Sequence, residues 1–113
     1  MAVAPQWGVK MKKVKIKVIK TTCFHDLAMS YGHGEDYHAC PIFKEGQEFI
    51  TTGPFGNDIP KDFCHMAWQA LFMPVNVLIG GGKVLGFDET HIACCNDGLR
   101  PVVFELTRIE EEE

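Results

Sequence analysis

The first clear pattern in the chain is a strict alternation of lysine and aliphatic residues from residue 13 to residue 18. Val14, Ile16 and Val18 fall on one face of an extended chain, and three lysines fall on the other. Because successive side chains of a strand point to opposite faces, this period of two predicts a strand with one buried face. We interpret the lysine row as a solvated face that protects a sheet edge, rather than as a phosphate-binding stripe.

A helical spacing of apolar residues follows in "DFCHMAWQALFM". It predicts a main helix from about residue 62 to residue 73, with Asp62 as its N-cap and Pro74 ending it. A shorter helical turn is predicted over residues 26–31, stopped by two glycines. The residues that share one face of the main helix are Cys64, Ala67, Trp68 and Leu71.

The closing segment predicts a β-hairpin. One strand runs from about His91 to Cys95, the chain turns at "NDG", and the second strand returns to Ile109. Asp-Gly supplies the positive φ values that tight hairpin turns require. The whole pattern predicts an α+β domain: a small, mostly antiparallel sheet or curled barrel with one main helix (about 62–73) and a C-terminal β-hairpin (about 91–109). Residues 12–110 are expected to form this single domain, with residues 1–11 as a flexible extension and residues 111–113 as an acidic tail.

Composition narrows the class of protein. With 46% hydrophobic residues and eight phenylalanines in 113 residues, the chain can build a core without disulfides. No apolar run approaches the roughly 20 residues that span a bilayer, and no signal-peptide stretch is found. We therefore expect a cytoplasmic protein with reduced thiols and no membrane contact. The net charge of −4 resides in Glu110–Glu113, which argues against nucleic acid as a partner.

Cys64 is the first candidate for chemistry. Near the N-terminus of the main helix, free backbone N–H groups and the helix dipole favour the thiolate, which is the nucleophilic and metal-binding form. Cys64 is therefore the candidate catalytic residue. The competing interpretation is an apolar role beside Ala67 and Trp68.

Cys40 follows the polar stretch "HGEDYHA", which begins at His33. Thiol, imidazole and carboxylate groups all suit zinc or iron, although the spacing matches no zinc finger and the chain has no CxxC motif. A solvated polar loop is the alternative interpretation of this stretch.

The adjacent Cys94 and Cys95 should point to opposite faces of their strand. Cys94 shares a face with the apolar Ile92, so we predict that Cys94 faces the helix and Cys64. Cys95 is then structural, or contacts the metal ligands without binding the metal itself. The predicted metal ligands are Cys40, Cys64, Cys94 and His33.

Asp97 and Arg100 flank the predicted turn. They could pair with each other and shape it, or Arg100 could hold an anionic ligand. Together with Trp68 they are the candidate ligand-binding residues for a small molecule.

These cysteine segments resemble a family of small uncharacterised prokaryotic proteins, frequent in anaerobes. The matching segments are "GHGEDYHACPIFKEGQEF", "DFCHMAW" and "CCNDGLRPVVF", and the resemblance spans roughly residues 14–110. It implies that the four cysteines above, Trp68, Asp97, Gly98 and Arg100 are family positions. His65 and Met66 depart from the Pro-Trp of the family pattern. The resemblance carries no activity.

Three functions remain open at this point. The first is a metal site holding zinc, iron or an iron–sulfur cluster; the second is a thiol-redox protein using Cys64 with a resolving cysteine. The third is a small-anion-binding module in which Trp68, Phe72 and Arg100 line one pocket and the cysteines only pack. The apolar "VNVLIGGG" stretch, in addition, predicts a homo-oligomer that buries it between copies.

Overall fold

The computed structural model describes residues 13–51, 59–85 and 90–109, and within them it confirms the predicted α+β fold. One antiparallel sheet has the strand order β2-β1-β4-β3. In the described part of the chain this sheet is open, with β2 and β3 at its edges, so the barrel alternative is not the form found. The elements are β1 (Lys13–Thr21), α1 (His25–Ser30), β2 (Glu48–Thr51), α2 (His65–Ile79), β3 (Thr90–Cys94) and β4 (Val102–Ile109).

The core lies between one face of the sheet and α2. The alternation in β1 is confirmed, because Val14, Ile16 and Val18 are fully buried. Ile16 pairs with Leu106 and Val18 with Phe104 across the two central strands, and a bulge follows Val18. Trp68 packs against this core while staying partly exposed. The other buried members that join the strands to α2 are Ala67, Leu71, Val75, Leu78, Val102, Phe104 and Leu106.

The main helix is confirmed, but its end was wrongly predicted. Pro74 lies inside α2 and is buried, and the helix continues to Ile79 before Gly80 caps it. A proline in a helix interior costs about 3 kcal/mol because it removes one backbone hydrogen bond and crowds the preceding turn. Val75, Leu78 and Ile79, which follow it, are buried, and each buried aliphatic side chain contributes about 1.5–3 kcal/mol. Burial beyond the proline therefore outweighs its cost.

The predicted start of α2 at Asp62 is also wrong. Asp62 has a φ of 63°, in the left-handed region, and belongs to a turn closed by a 3.2 Å hydrogen bond from the Phe63 N–H to the Pro60 carbonyl. Aspartate tolerates this conformation better than most residues, which explains its place in the turn. Cys64, with extended backbone angles, is the N-cap of the helix instead.

Most apolar side chains of the stretch that motivated an oligomer are buried within one chain. Val75, Leu78 and Ile79 belong to α2 and face the sheet, so they need no second copy to cover them. Among the described residues, no helix is long and apolar enough to cross a membrane. The predicted extension (1–11) and the acidic tail (111–113) lie outside the described residues.

Candidate functional site

A small cavity brings together three of the five cysteines. It has a volume of about 130 Å³ and lies where the segment before β2, the start of α2 and the β3–β4 hairpin meet. We call it the cysteine cavity. Its lining residues are Cys40, Ile42, Phe43, Cys64, Met66, Cys95, Asp97, Arg100 and Val102. All five cysteines of the chain are unpaired, so these three thiols are free.

Two phenylalanines anchor the segments that carry Cys40 and Cys64. Phe43 follows Cys40 by three residues, and Phe63 directly precedes Cys64. Both rings are almost fully buried, and their centroids lie 5.1 Å apart. Both also contact Phe104 of the central strand β4, at 5.2 and 5.7 Å. The aromatic core therefore fixes two thiol-bearing loops against the sheet.

The predicted orientation of Cys94 is wrong, although the predicted difference between the two neighbouring cysteines is confirmed. Cys94 is exposed, and Ile92 on its face is 51% exposed. Cys95 is half-buried and lines the cavity. The reason is the pairing with β4: Ala93 lies opposite the buried Phe104, so the face of Ala93 and Cys95 looks towards the core. Cys95 therefore takes the place predicted for Cys94.

Cys95 is held in place by the strand opposite it. Its N–H donates to the Val102 carbonyl at 3.1 Å, and the Val102 N–H donates to the Cys95 sulfur at 3.3 Å. Cys64 differs, because as the N-cap of α2 it forms no side-chain capping hydrogen bond. Its carbonyl accepts the Trp68 N–H at 2.9 Å, which is the first backbone hydrogen bond of the helix.

The turn residues Asp97 and Arg100 form the predicted pair at one side of the cavity. Arg100 Nε donates to Asp97 Oδ2 at 3.0 Å, while Asp97 Oδ1 accepts the backbone N–H groups of Leu99 and Arg100. Partial burial raises the pKa of Asp97, but these hydrogen bonds outweigh it and hold that pKa below its usual value. The bond to Asp97 is also the main cause that raises the pKa of Arg100, and the nearby Tyr37 and Cys40 add to it.

Tyr37 was not among the predicted site residues, yet it supports the arginine. The guanidinium carbon of Arg100 lies 5.1 Å from the centroid of the Tyr37 ring, within cation–π range. His33 also contacts this tyrosine, with ring centroids 5.0 Å apart. His33 is exposed and does not line the cavity, so the structure does not bring this predicted metal ligand to the cysteines.

In the part of the chain that the structure describes, Trp68 and Arg100 line different pockets, which corrects the predicted anion pocket. Trp68 and Phe72 belong to an open groove of about 500 Å³ on the exposed side of α2. Met66 borders both the groove and the cysteine cavity, and it was not among the predicted site residues. Its position two residues after Cys64, in the first turn of the helix, is the sequence feature that could have predicted this.

The side chains of the cavity have the right chemistry to bind a metal, but they are not arranged as a metal-binding group. Thiolate and thioether sulfurs are soft ligands that select zinc, copper(I) or iron–sulfur centres. In the described ranges, however, no three His, Cys, Asp or Glu side chains stand together as a ready ligand set. A metal held here would therefore require the three cysteine side chains to rearrange.

Comparison with known proteins adds nothing to this picture. No family model, no curated protein and no solved structure matches the chain. The resemblance to the small prokaryotic family therefore stays a prediction.

Proposed function

We propose that this domain binds a soft metal ion, zinc or iron, through Cys40, Cys64 and Cys95 in the cysteine cavity. One observation carries the proposal: three thiols from three separate segments of the chain line a single small cavity. Packing alone does not require sulfur at all three places, since the rest of the core uses aliphatic and aromatic side chains. Cys95 replaces Cys94 in the ligand set, and His33 leaves it.

Metal binding would close the site. Metal–sulfur bonds of about 2.3 Å would draw the ligand sulfurs within roughly 4 Å of one another. Cys64 and Cys40 lie outside the regular elements, next to well-anchored phenylalanines, so their side chains can rotate while the backbone stays in place. Three protein ligands leave a fourth position open, which is typical of catalytic rather than structural zinc.

The adjacent cysteines supply a matched control for the test. Cys94→Ser and Cys95→Ser make the same chemical change at neighbouring residues on opposite faces of the hairpin. We expect protein purified without oxygen to contain zinc or iron, and the metal-free form to take up one Co²⁺ with thiolate-to-metal absorption. Serine at residue 40, 64 or 95 should abolish this absorption, and serine at residue 94 should leave it unchanged.

Two results would contradict the metal proposal. One is a wild-type protein that takes up no metal under reducing conditions. The other is an equal loss of cobalt absorption in the variants at residues 94 and 95, because an exposed thiol on the opposite face cannot reach the cavity.

Thiol-redox chemistry at the same cavity is the second candidate, and it is favoured by the missing ready ligand set. Here the Cys64 thiolate attacks a peroxide oxygen, giving a sulfenic acid and releasing water or an alcohol. Cys40 or Cys95 then displaces water to form a disulfide. One equivalent of hydrogen peroxide would form a disulfide with or without a bound metal. The distinguishing result for the redox candidate is therefore protein that, purified without oxygen, contains no metal and still forms this disulfide.

Cytoplasmic location and assembly belong to the same proposal. A reducing compartment would keep the five unpaired cysteines as free thiols. A homo-oligomer has less support than the sequence suggested, and the open sheet face now offers only Ile50 and Ile92 as exposed apolar residues on β2 and β3. Light scattering at micromolar concentration tests for a homo-oligomer.

A further inference from the structure

The main helix α2 is unusual for a surface helix because it contains no Asp, Glu, Lys or Arg in its 15 residues. These four residue types make up 23% of the whole chain. A helix that packs one face on a core normally presents charged side chains on the opposite face, and a helix that is apolar on all sides is normally buried. The side of α2 that faces away from the sheet therefore has the composition of a surface that is covered.

Large apolar side chains are exposed on this side of the helix. Met66 is 58% exposed, Phe72 is 43% exposed and Met73 is 62% exposed. The ring of Trp68, which is partly exposed, stands edge-to-face against Phe72 with centroids 6.2 Å apart. Spacings of three and four residues place these side chains on one continuous surface, which we call the α2 stripe. Its members are His65, Met66, Trp68, Gln69, Phe72 and Met73, and all but Met73 line the open groove described above.

The chemistry of the α2 stripe restricts what can cover it. A nucleic acid or an anionic membrane surface is bound through lysine and arginine, and the helix has neither. A partner with a charged surface would find no carboxylate, ammonium or guanidinium group on α2 to pair with. A second copy of this chain fits, because the residues that give the protein its net charge of −4 all lie outside the helix. Two α2 stripes can therefore meet without like-charge repulsion.

The size of the α2 stripe agrees with a weak dimer. With about 200 Å² for a large side chain, the exposed fractions of Met66, Phe72 and Met73 give roughly 300 Å² per copy. The other three members raise this area to about 500 Å², so two copies would bury roughly 1,000 Å² in total, which is the lower limit for a specific interface. Interfaces of this size belong to weak, transient complexes.

We infer that two copies of this chain associate through the α2 stripe, with their α2 helices antiparallel about a twofold axis close to Gln69. The stripe runs from residue 65 to residue 73, so an axis at its centre places Met66 of each copy against Met73 of the second copy. This surface is distinct from the buried side chains of the "VNVLIGGG" stretch. The inference goes beyond the proposed function and does not depend on what the cysteine cavity binds, although Met66 also borders that cavity.

Two methionine variants test whether the α2 stripe is the interface. Sedimentation equilibrium from about 5 to 500 µM under reducing conditions should show a reversible wild-type dimer with a Kd of roughly 10–100 µM. Met73→Glu should weaken this association tenfold or more, because it places two carboxylates in an apolar contact. Met29→Glu is the matched control, since it makes the same change at another exposed methionine, on α1, and should leave the Kd unchanged. Circular dichroism verifies that both variants are folded.

A pair of opposite charges at residue 69 tests the second copy itself. Gln69→Glu alone and Gln69→Lys alone each bring two like charges together at the axis, so each should weaken the association tenfold or more. An equimolar mixture of the two variants should associate again, because a carboxylate of one copy then lies close to an ammonium group of the other. This recovery requires that residue 69 is near residue 69 of the second copy, which no other dimer surface provides.

Three results would overturn the inference. They are a wild-type protein that stays monomeric over the whole concentration range, equal weakening by Met73→Glu and Met29→Glu, and a mixture of the two Gln69 variants that associates no better than either alone. A monomer would mean that the α2 stripe is covered by something other than a second copy. Cobalt uptake tests the metal proposal separately, and none of these three results bears on it.

Discussion

Phe63 links the aromatic core to the candidate site, and its removal should damage both. Its side chain is 5% exposed. Its ring lies 5.0–6.1 Å, centroid to centroid, from four aromatic neighbours: Phe43, Phe49, Trp68 and Phe104. Replacing a buried phenylalanine by alanine costs about 3–5 kcal/mol, because transfer free energy is lost and a cavity remains. Since domains of this kind are stable by about 5–15 kcal/mol, Phe63→Ala should remove a large share of the free energy of unfolding.

Urea unfolding followed by tryptophan fluorescence measures this loss. With a dependence of about 1–3 kcal/mol per molar urea, the midpoint should fall by roughly 2 M. The thiols of Cys40 and Cys64 should also react faster with a thiol reagent, because Phe63 fixes both of their segments. Phe24→Ala is the control: Phe24 is 41% exposed, and its loss should cost less than about 0.5 kcal/mol. A loss below about 1.5 kcal/mol for Phe63→Ala would refute the view that this ring anchors the site.

Two further changes probe the turn and the helix. The folded pKa of Asp97 lies below its unfolded value, so its stabilising contribution is present above the unfolded pKa and is lost as the pH falls through the folded pKa. Asp97→Asn should therefore lower the free energy of unfolding by about 1–3 kcal/mol at pH 7. The difference in this free energy between the wild type and the variant should shrink below about pH 4. Urea titrations of both proteins at several pH values would measure it. Pro74→Ala should raise the midpoint of thermal unfolding. Alanine restores a helical N–H and removes the clash of the proline ring with the preceding turn, while only a little buried surface is lost. A lowered midpoint would mean that the packing of the proline ring stabilises the fold by more than its backbone cost.

The sequence alone determined the elements whose pattern is local. The alternation of Val14, Ile16 and Val18 set both the strand and its buried face, because only one face offered apolar side chains. The turn sequence between two predicted strands indicated the hairpin, and the helical spacing of apolar residues indicated the main helix. These features depend on neighbours a few residues apart, so no knowledge of the rest of the chain was needed.

The tertiary structure decided which cysteine belongs to the site. The faces of β3 are nearly equal in apolar content, with Ile92 and Cys94 on one and His91, Ala93 and Cys95 on the other. Only the pairing of Ala93 with the buried Phe104 selects the second face, and that register depends on residues far apart in sequence. The gathering of Cys40, Cys64 and Cys95 around one cavity has the same origin.

The ends of α2 and the support of Arg100 show the same division. A proline normally ends a helix, but the burial of Val75 and Leu78 against the sheet outweighs that local preference. Tyr37 contacts Arg100, which lies 63 residues later in the chain, and no local sequence pattern predicts such a contact. Local sequence therefore determined what each segment becomes, while long-range packing determined which side chains meet, because the free energy of burial is shared by residues that only the folded chain brings together.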